Sequence, residues 1–189
     1  MTPRALGGMT ALLLLLGCGR SSPPAPAPPS GPAQDPVFMA TPFIMAGLKT
    51  PAVSPAAAAD LPDDAEVVGF VVAGKARAYL VDAMSTIRHH VINDLVGDAP
   101  LTVTYCDRAD CFKAFTADAR GTPLDVYLGG WKDGMLLKVG ESFFYQDTGR
   151  AVRPDSEAKI PLRTVPAERT RWKAWKQKHP ETDIFTGKK

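Results

Sequence analysis

The chain has 189 residues, with 22 Lys and Arg against 20 Asp and Glu, and a formal charge of +2. The charges are mixed along its length, so it carries no basic footprint of the kind that binds nucleic acid, and that partner class is excluded. With 45% apolar residues it can bury one core of ordinary size, and no internal repeat suggests a second domain.

The N-terminus carries one basic residue, Arg4, before an apolar run ending in Leu12 to Leu16, Gly17 and Cys18. That run is shorter than the roughly 20 apolar residues a membrane-spanning helix needs, so residues 1–17 are expected to be an export signal. Leu15-Leu16-Gly17-Cys18 is similar to the lipobox of bacterial lipoprotein precursors. It predicts cleavage before Cys18, lipidation of that cysteine, and membrane lipid as a partner through an anchor rather than a span. The other expectation is an ordinary cleaved secretory signal with Cys18 incidental. Residues 18–36 follow with prolines at 23, 24, 26, 28, 29, 32 and 36, a composition that cannot bury a core and is expected to be an extended tether.

Residues 37–62 carry apolar side chains without a strand or helix period, and predict an extended arm packed on the domain, with one helical turn near Pro55 to Leu61. Residues 63–189 are expected to form a single globular domain. Within it, short β runs alternate with turn residues: residues 67–73 turn at Gly74-Lys75 into residues 76–81, and residues 101–106 follow the turn signal Gly97-Asp98-Ala99-Pro100. Further runs at 111–117, 124–128, 135–139 and 142–146 are separated by glycine-rich turns. The pattern predicts an α+β fold that is mainly antiparallel β, a sandwich or partly closed barrel, with one short mid-chain helix and one C-terminal helix.

The mid-chain helix is predicted over Asp82 to Val91, with Asp82 as N-cap and Met84, Ile87 and Val91 on one side. The C-terminal helix is predicted over Ala167 to His179, ending at Pro180, with Trp172 and Trp175 one turn apart. Those rings either seat on the sheet or, with Lys173, Lys176 and Lys178, offer a face to lipid or a partner.

Once Cys18 is assigned to lipid, two thiols remain, Cys106 and Cys111, four residues apart in a compartment where disulfides persist. They can meet only if the chain turns at Asp107-Arg108-Ala109-Asp110. Strand alternation groups Cys106 with Thr102 and Thr104, on a face more polar than that of Leu101, Val103 and Tyr105. A hairpin across Gly97-Asp98 also brings the adjacent His89 and His90 to the end of the strand where Cys106 emerges. An imidazolium beside a thiol raises its thiolate fraction, as redox exchange and metal ligation both require. Three chemistries stay open: a permanent disulfide, an exchangeable dithiol acting on an envelope redox partner protein, and a Cu or Zn site using His89, His90, Cys106 and Cys111. No sequence pattern for covalent haem, a phosphate loop or a serine nucleophile is present.

Between Gly74 and Phe115, and again around Trp172 to Pro180, the chain resembles the bacterial and archaeal domain family of unknown function numbered 3179. The matching positions are Gly74, Arg77, Ala78 and Tyr79; His89; Asn93 and Asp94; Thr104, Tyr105 and Cys106; and Trp172, Trp175, Lys176, His179 and Pro180. Leu80 departs from the family's usual proline, and Cys111 stands further from Cys106 than in the commoner Cys-x-x-Cys pattern. That wider spacing resembles a subgroup with members described as selenoproteins, which implies redox chemistry. The resemblance points to His89 rather than His90, and the predicted helix puts His89 on its polar side. The expected site is therefore Cys106 as nucleophile, Cys111 as resolving thiol, His89 as base or pKa modulator, and Arg77 as a further site residue.

Overall fold

The computed structural model describes residues 43–153 and 156–188. The expected signal (1–17), Cys18, the tether (18–36) and the first part of the arm (37–42) lie outside the described residues. Residues 43–62 give β1 (Met45–Ala46), β2 (Leu48–Lys49), β3 (Ser54–Pro55) and a single 3-10 turn at Ala56–Ala58.

The Gly74 hairpin forms as β4 (Glu66–Val72) and β5 (Lys75–Leu80). Its turn residues Ala73 and Gly74 both have positive φ, +50° and +77°, as a tight hairpin turn requires. The expected helix over Asp82 to Val91 is broken. It is α1 (Val81–Met84), then a 3-10 turn at Ile87–His89, and Val91 already belongs to β6 (Val91–Val96). Thr86 interrupts it with extended backbone, φ −78° and ψ 127°. The pull of Val91 into sheet pairing with Thr104 outweighs a helical propensity that is weak for so short a segment.

Two hairpins then run through β7 (Ala99–Cys106) and β8 (Cys111–Thr116), with Gly97-Asp98 and Asp107 to Asp110 as their turns. A meander follows of β9 (Val126–Trp131), β10 (Met135–Val139) and β11 (Ser142–Tyr145). The chain closes with β12 (Arg163–Val165), β13 (Glu168–Arg171), α2 (Trp172–Lys178) and β14 (Asp183–Phe185).

The strands form three sheets: a central one in the order β12-β8-β7-β6-β2, an outer one in the order β1-β9-β10-β11, and a helix-backed one in the order β13-β4-β5-β14-β3. They stack as sandwich-like layers without closing a barrel, and nearly all pairings are antiparallel; β2 with β6 and β5 with β14 are the parallel ones. Alternation sorts the side chains. Ile92, Leu101, Val103 and Tyr105 of the central sheet pack against Val68, Phe70 and Tyr79 of the helix-backed sheet. On the opposite face, Val91, Cys106 and Phe115 pack against Val126, Leu128, Met135 and Leu137 of the outer sheet.

The remaining face of the helix-backed sheet is covered by α2, where Trp172 and Trp175 sit on Val67, Ala78 and Ile184 and are 0% and 1% exposed. Both rings therefore belong to the core and present no lipid face. Burying a ring of this size contributes on the order of 4 kcal/mol before entropy is counted. Gly69 makes the close approach possible, since a Cβ there would stand 2.4 Å from the Trp175 ring. No described helix is long and apolar enough to cross a membrane.

Candidate functional site

Cys106 ends β7 and Cys111 opens β8, and the register sets them directly opposite one another. The polar turn between them, with Asp110 in the left-handed region at φ +46°, is what reverses the chain. Opposed residues of antiparallel strands hold their Cα atoms about 4.5 to 5.5 Å apart, within the range a disulfide spans. Both cysteines are free thiols in the structure.

Cys106 does share a face with Thr102 and Thr104, yet that face is not open to water. The outer sheet covers it, leaving both threonines fully buried and Cys106 3% exposed. Cys106 reaches solvent through a cleft of about 390 Å³ whose lining includes Phe43, Ile87, His90, Leu128, Trp131 and Met135, with Asp107 and Arg108 also on its wall. The Arg108 guanidinium lies over the Trp131 ring, 4.9 Å from its centre. Cys111 is the more exposed of the two cysteines. Burial, reinforced by the nearby Cys106, pushes its thiol above the ordinary cysteine range. Its Sγ–H donates to Gln146 Oε1 at 3.1 Å. The Gln146 amide nitrogen donates in turn to Thr104 Oγ1 at 3.2 Å and to the Cys111 carbonyl at 3.3 Å. Because that carbonyl can only accept, it fixes which end of the amide faces the sulfur.

The Cys turn is held from its far side. Arg169 on β13 bridges Asp110 at 2.8 Å and Glu66 at 2.8 Å, and its guanidinium lies over Phe112, which stacks on Tyr105. Tyr105 donates from its hydroxyl to Asp110 at 3.0 Å. The Arg169 bond, with that of Tyr105 second, holds Asp110 below the usual carboxylate range.

The two histidines diverge. His89 ends the 3-10 turn with Nδ1 2.8 Å from the Ala83 carbonyl and its ring edge-on to Phe185, away from the cleft. His90 lines the cleft with Cys106. It is 7% exposed, and its Nε2 is buried without a hydrogen-bond partner, the nearest carboxylate oxygen being Asp107 Oδ1 at 3.9 Å. Burial holds the His90 imidazole below its ordinary pKa, against an opposing pull from Asp107. The expectation of an imidazolium beside the thiol is therefore corrected on two points: the ring in the cleft is His90, and near neutral pH it is uncharged. The helical periodicity that favoured His89 fails because the helix stops at Met84.

Arg77 lies on the other side of the central sheet. Its guanidinium pairs with Asp94, which also accepts from Tyr79 at 2.7 Å and from the Leu95 amide at 2.7 Å. Arg77 is thus part of a buried ion pair between two sheets and does not touch the cleft. The ligand set His89, His90, Cys106 and Cys111 is likewise divided, and among the described residues no three His, Cys, Asp or Glu side chains are grouped to hold a metal ion.

Gln146, Trp131 and Met135 were not anticipated. Gln146 had a signal: it stands in phase with buried Phe144 at the end of an apolar run, where a polar residue must find a partner. Trp131 and Met135 flank a turn in the outer sheet, and nothing local ties them to a cysteine elsewhere in the chain.

The geometry defines a class: a three-sheet β domain with a dithiol, one thiol buried in the lining of a cleft and the other, the more exposed, directly opposite it on the neighbouring strand. The family model described as "Protein of unknown function (DUF3179)" matches residues 42–189, and the chain belongs to that family. No curated protein and no solved structure matches it.

Proposed function

We propose that the protein is a thiol–disulfide redox protein of the bacterial cell envelope, anchored by lipid on Cys18, in which Cys106 and Cys111 cycle between dithiol and disulfide. The register that sets Cys106 opposite Cys111 carries this reading, because it lets a disulfide form with little backbone movement. Cys106, facing the cleft, is the attacking sulfur. Cys111, held protonated by burial, resolves the product by attacking Cys106. His90, uncharged in the same cleft, takes the role of proton acceptor and donor expected of its neighbour His89. Reduction begins when a thiolate of an envelope partner attacks Cys111, the more open sulfur; Cys106 leaves as thiolate, and the partner's second thiol then releases Cys111. Two electrons and two protons enter the pair for each partner dithiol oxidised.

Thiol trapping in glutathione buffers of graded potential tests the proposal. An exchangeable pair titrates reversibly with a midpoint above about −300 mV. A pair that stays oxidised in every buffer is a structural crosslink and overturns it.

A further inference from the structure

Resting on this redox reading, we infer that the cleft over Cys106 receives the methyl sulfoxide of an oxidised methionine side chain and reduces it to the thioether. The first reason is reach. Cys106 is 3% exposed in the lining of a cleft of about 390 Å³, near the lower end of small-ligand sites (about 300–1,000 Å³). A disulfide in a folded protein carries each sulfur one carbon from its backbone, a shorter stem with which to approach a sulfur this buried. Methionine carries its sulfur two methylenes out with only a methyl group beyond, and oxidation gives that tip a polar oxygen.

The second reason is the lining. Leu128, Met135 and Trp131 offer apolar and aromatic surface to a methyl group and its stem. Phe43 and Ile87, 39% and 48% exposed, extend that surface to the mouth, as suits a side chain arriving on a polypeptide. The third is the buried, unpartnered Nε2 of His90 in the same wall, an otherwise costly vacancy in its hydrogen bonding. A sulfoxide oxygen is a strong acceptor, and the proton it needs is the one the Cys106 thiol gives to this uncharged ring as the thiolate forms; Asp107 Oδ1 stands 3.9 Å from Nε2, and Arg108 lines the same cleft.

The chemistry balances on the two cysteines. The Cys106 thiolate attacks the sulfoxide sulfur; the sulfoxide S–O bond breaks, an S–O bond forms on Cys106, and one proton is taken up. A thioether and a Cys106 sulfenic acid result. The Cys111 thiol then attacks Cys106 Sγ, the S–O bond breaks, and oxygen leaves as water with the thiol proton. One sulfoxide and two thiols become one thioether, one disulfide and one water, and an outside dithiol restores the pair.

The test is a single turnover by the full chain, reduced with dithiothreitol and then freed of it, on N-acetyl-methionine sulfoxide methylamide and, separately, on free methionine sulfoxide. The expected result is about one thioether per protein with loss of both thiols. Turnover of the amide alone assigns the group within a polypeptide, and turnover of both assigns the group itself. Cys111→Ser should still give about one thioether and leave a Cys106 sulfenic acid that dimedone traps, a species disulfide exchange does not produce. Cys106→Ser should give none. Trp131→Ala should raise the amide concentration that half-saturates the single-turnover rate at least tenfold, with Trp131→Phe recovering most of it. If the wild-type pair titrates with glutathione yet leaves both sulfoxides intact, the substrate assignment is overturned while the redox proposal stands. A pair that does not titrate overturns both.

Discussion

Replacing Gln146 with leucine, which has nearly its volume, should separate the redox role of the site from its packing. The side chain is 2% exposed and makes three hydrogen bonds: it accepts from Cys111 Sγ–H at 3.1 Å and donates to Thr104 Oγ1 and the Cys111 carbonyl at 3.2 and 3.3 Å. At about 1 kcal/mol net for each bond, Gln146→Leu should destabilise the reduced domain by about 3 kcal/mol. The bond from Cys111 needs the thiol proton, so it is absent in the disulfide. The oxidised domain should lose only about 2 kcal/mol. The missing 1 kcal/mol reappears as a midpoint potential about 20 mV more negative, because the reduced state alone has lost it. Urea unfolding of the reduced and oxidised forms, beside a glutathione titration of each protein, measures both sides of that cycle. Equal losses in the two forms with an unmoved midpoint would refute the role given to this bond.

Arg77→Leu leaves Asp94 charged and buried with only Tyr79 and an amide to hold it, and should cost about 3 to 5 kcal/mol in urea unfolding. The rate at which iodoacetamide traps Cys106 in the folded protein should not change, since the pair lies across the central sheet from the cleft. Gly69→Ala places a methyl group 2.4 Å from the Trp175 ring and should destabilise by about 1 to 3 kcal/mol, with a shift in tryptophan emission as the ring is displaced. His90 has a pKa depressed by burial, so the unfolded chain takes up its proton first. Its contribution is undiminished above the unfolded value of about 6.5 and is lost as pH falls through the folded value. Wild type should therefore lose more stability between pH 7 and pH 5 than His90→Gln does, and parallel pH profiles would contradict the burial of that ring.

Much of the fold was legible because its signals are local. The Gly74 and Gly97-Asp98 turns, the alternation in β6 and β7 and the polar turn between the cysteines depend on neighbouring residues, and the register follows from them. The spacing of Trp172 and Trp175 marked a helix, although Glu168 to Arg171 before it joins β4 as a strand instead. What was not legible arrives from a distance. The outer sheet that buries the face of Cys106 has no signature in β7 itself. Gln146 meets Cys111 across 35 residues, and Arg77 finds Asp94 across 17. The choice between His89 and His90 turned on whether one helix ran unbroken through Thr86, a local question that sheet pairing by Val91 decided.

The position of β14 bears on how the chain reaches this state. Residues 183–185 lie between β5 and β3, with Asp183 opposite Arg77, to which it also bonds across 106 residues. During synthesis β5 therefore waits with one edge unpaired until residue 185 has emerged, and β4 waits likewise for β13. A growing chain can form the β6-β7-β8 hairpins early, but the helix-backed sheet closes last, by contacts of high sequence separation that slow folding. Val67 and Ala78, covered at the end by two tryptophans, remain the surface most open to chaperones or to misassembly in the interval.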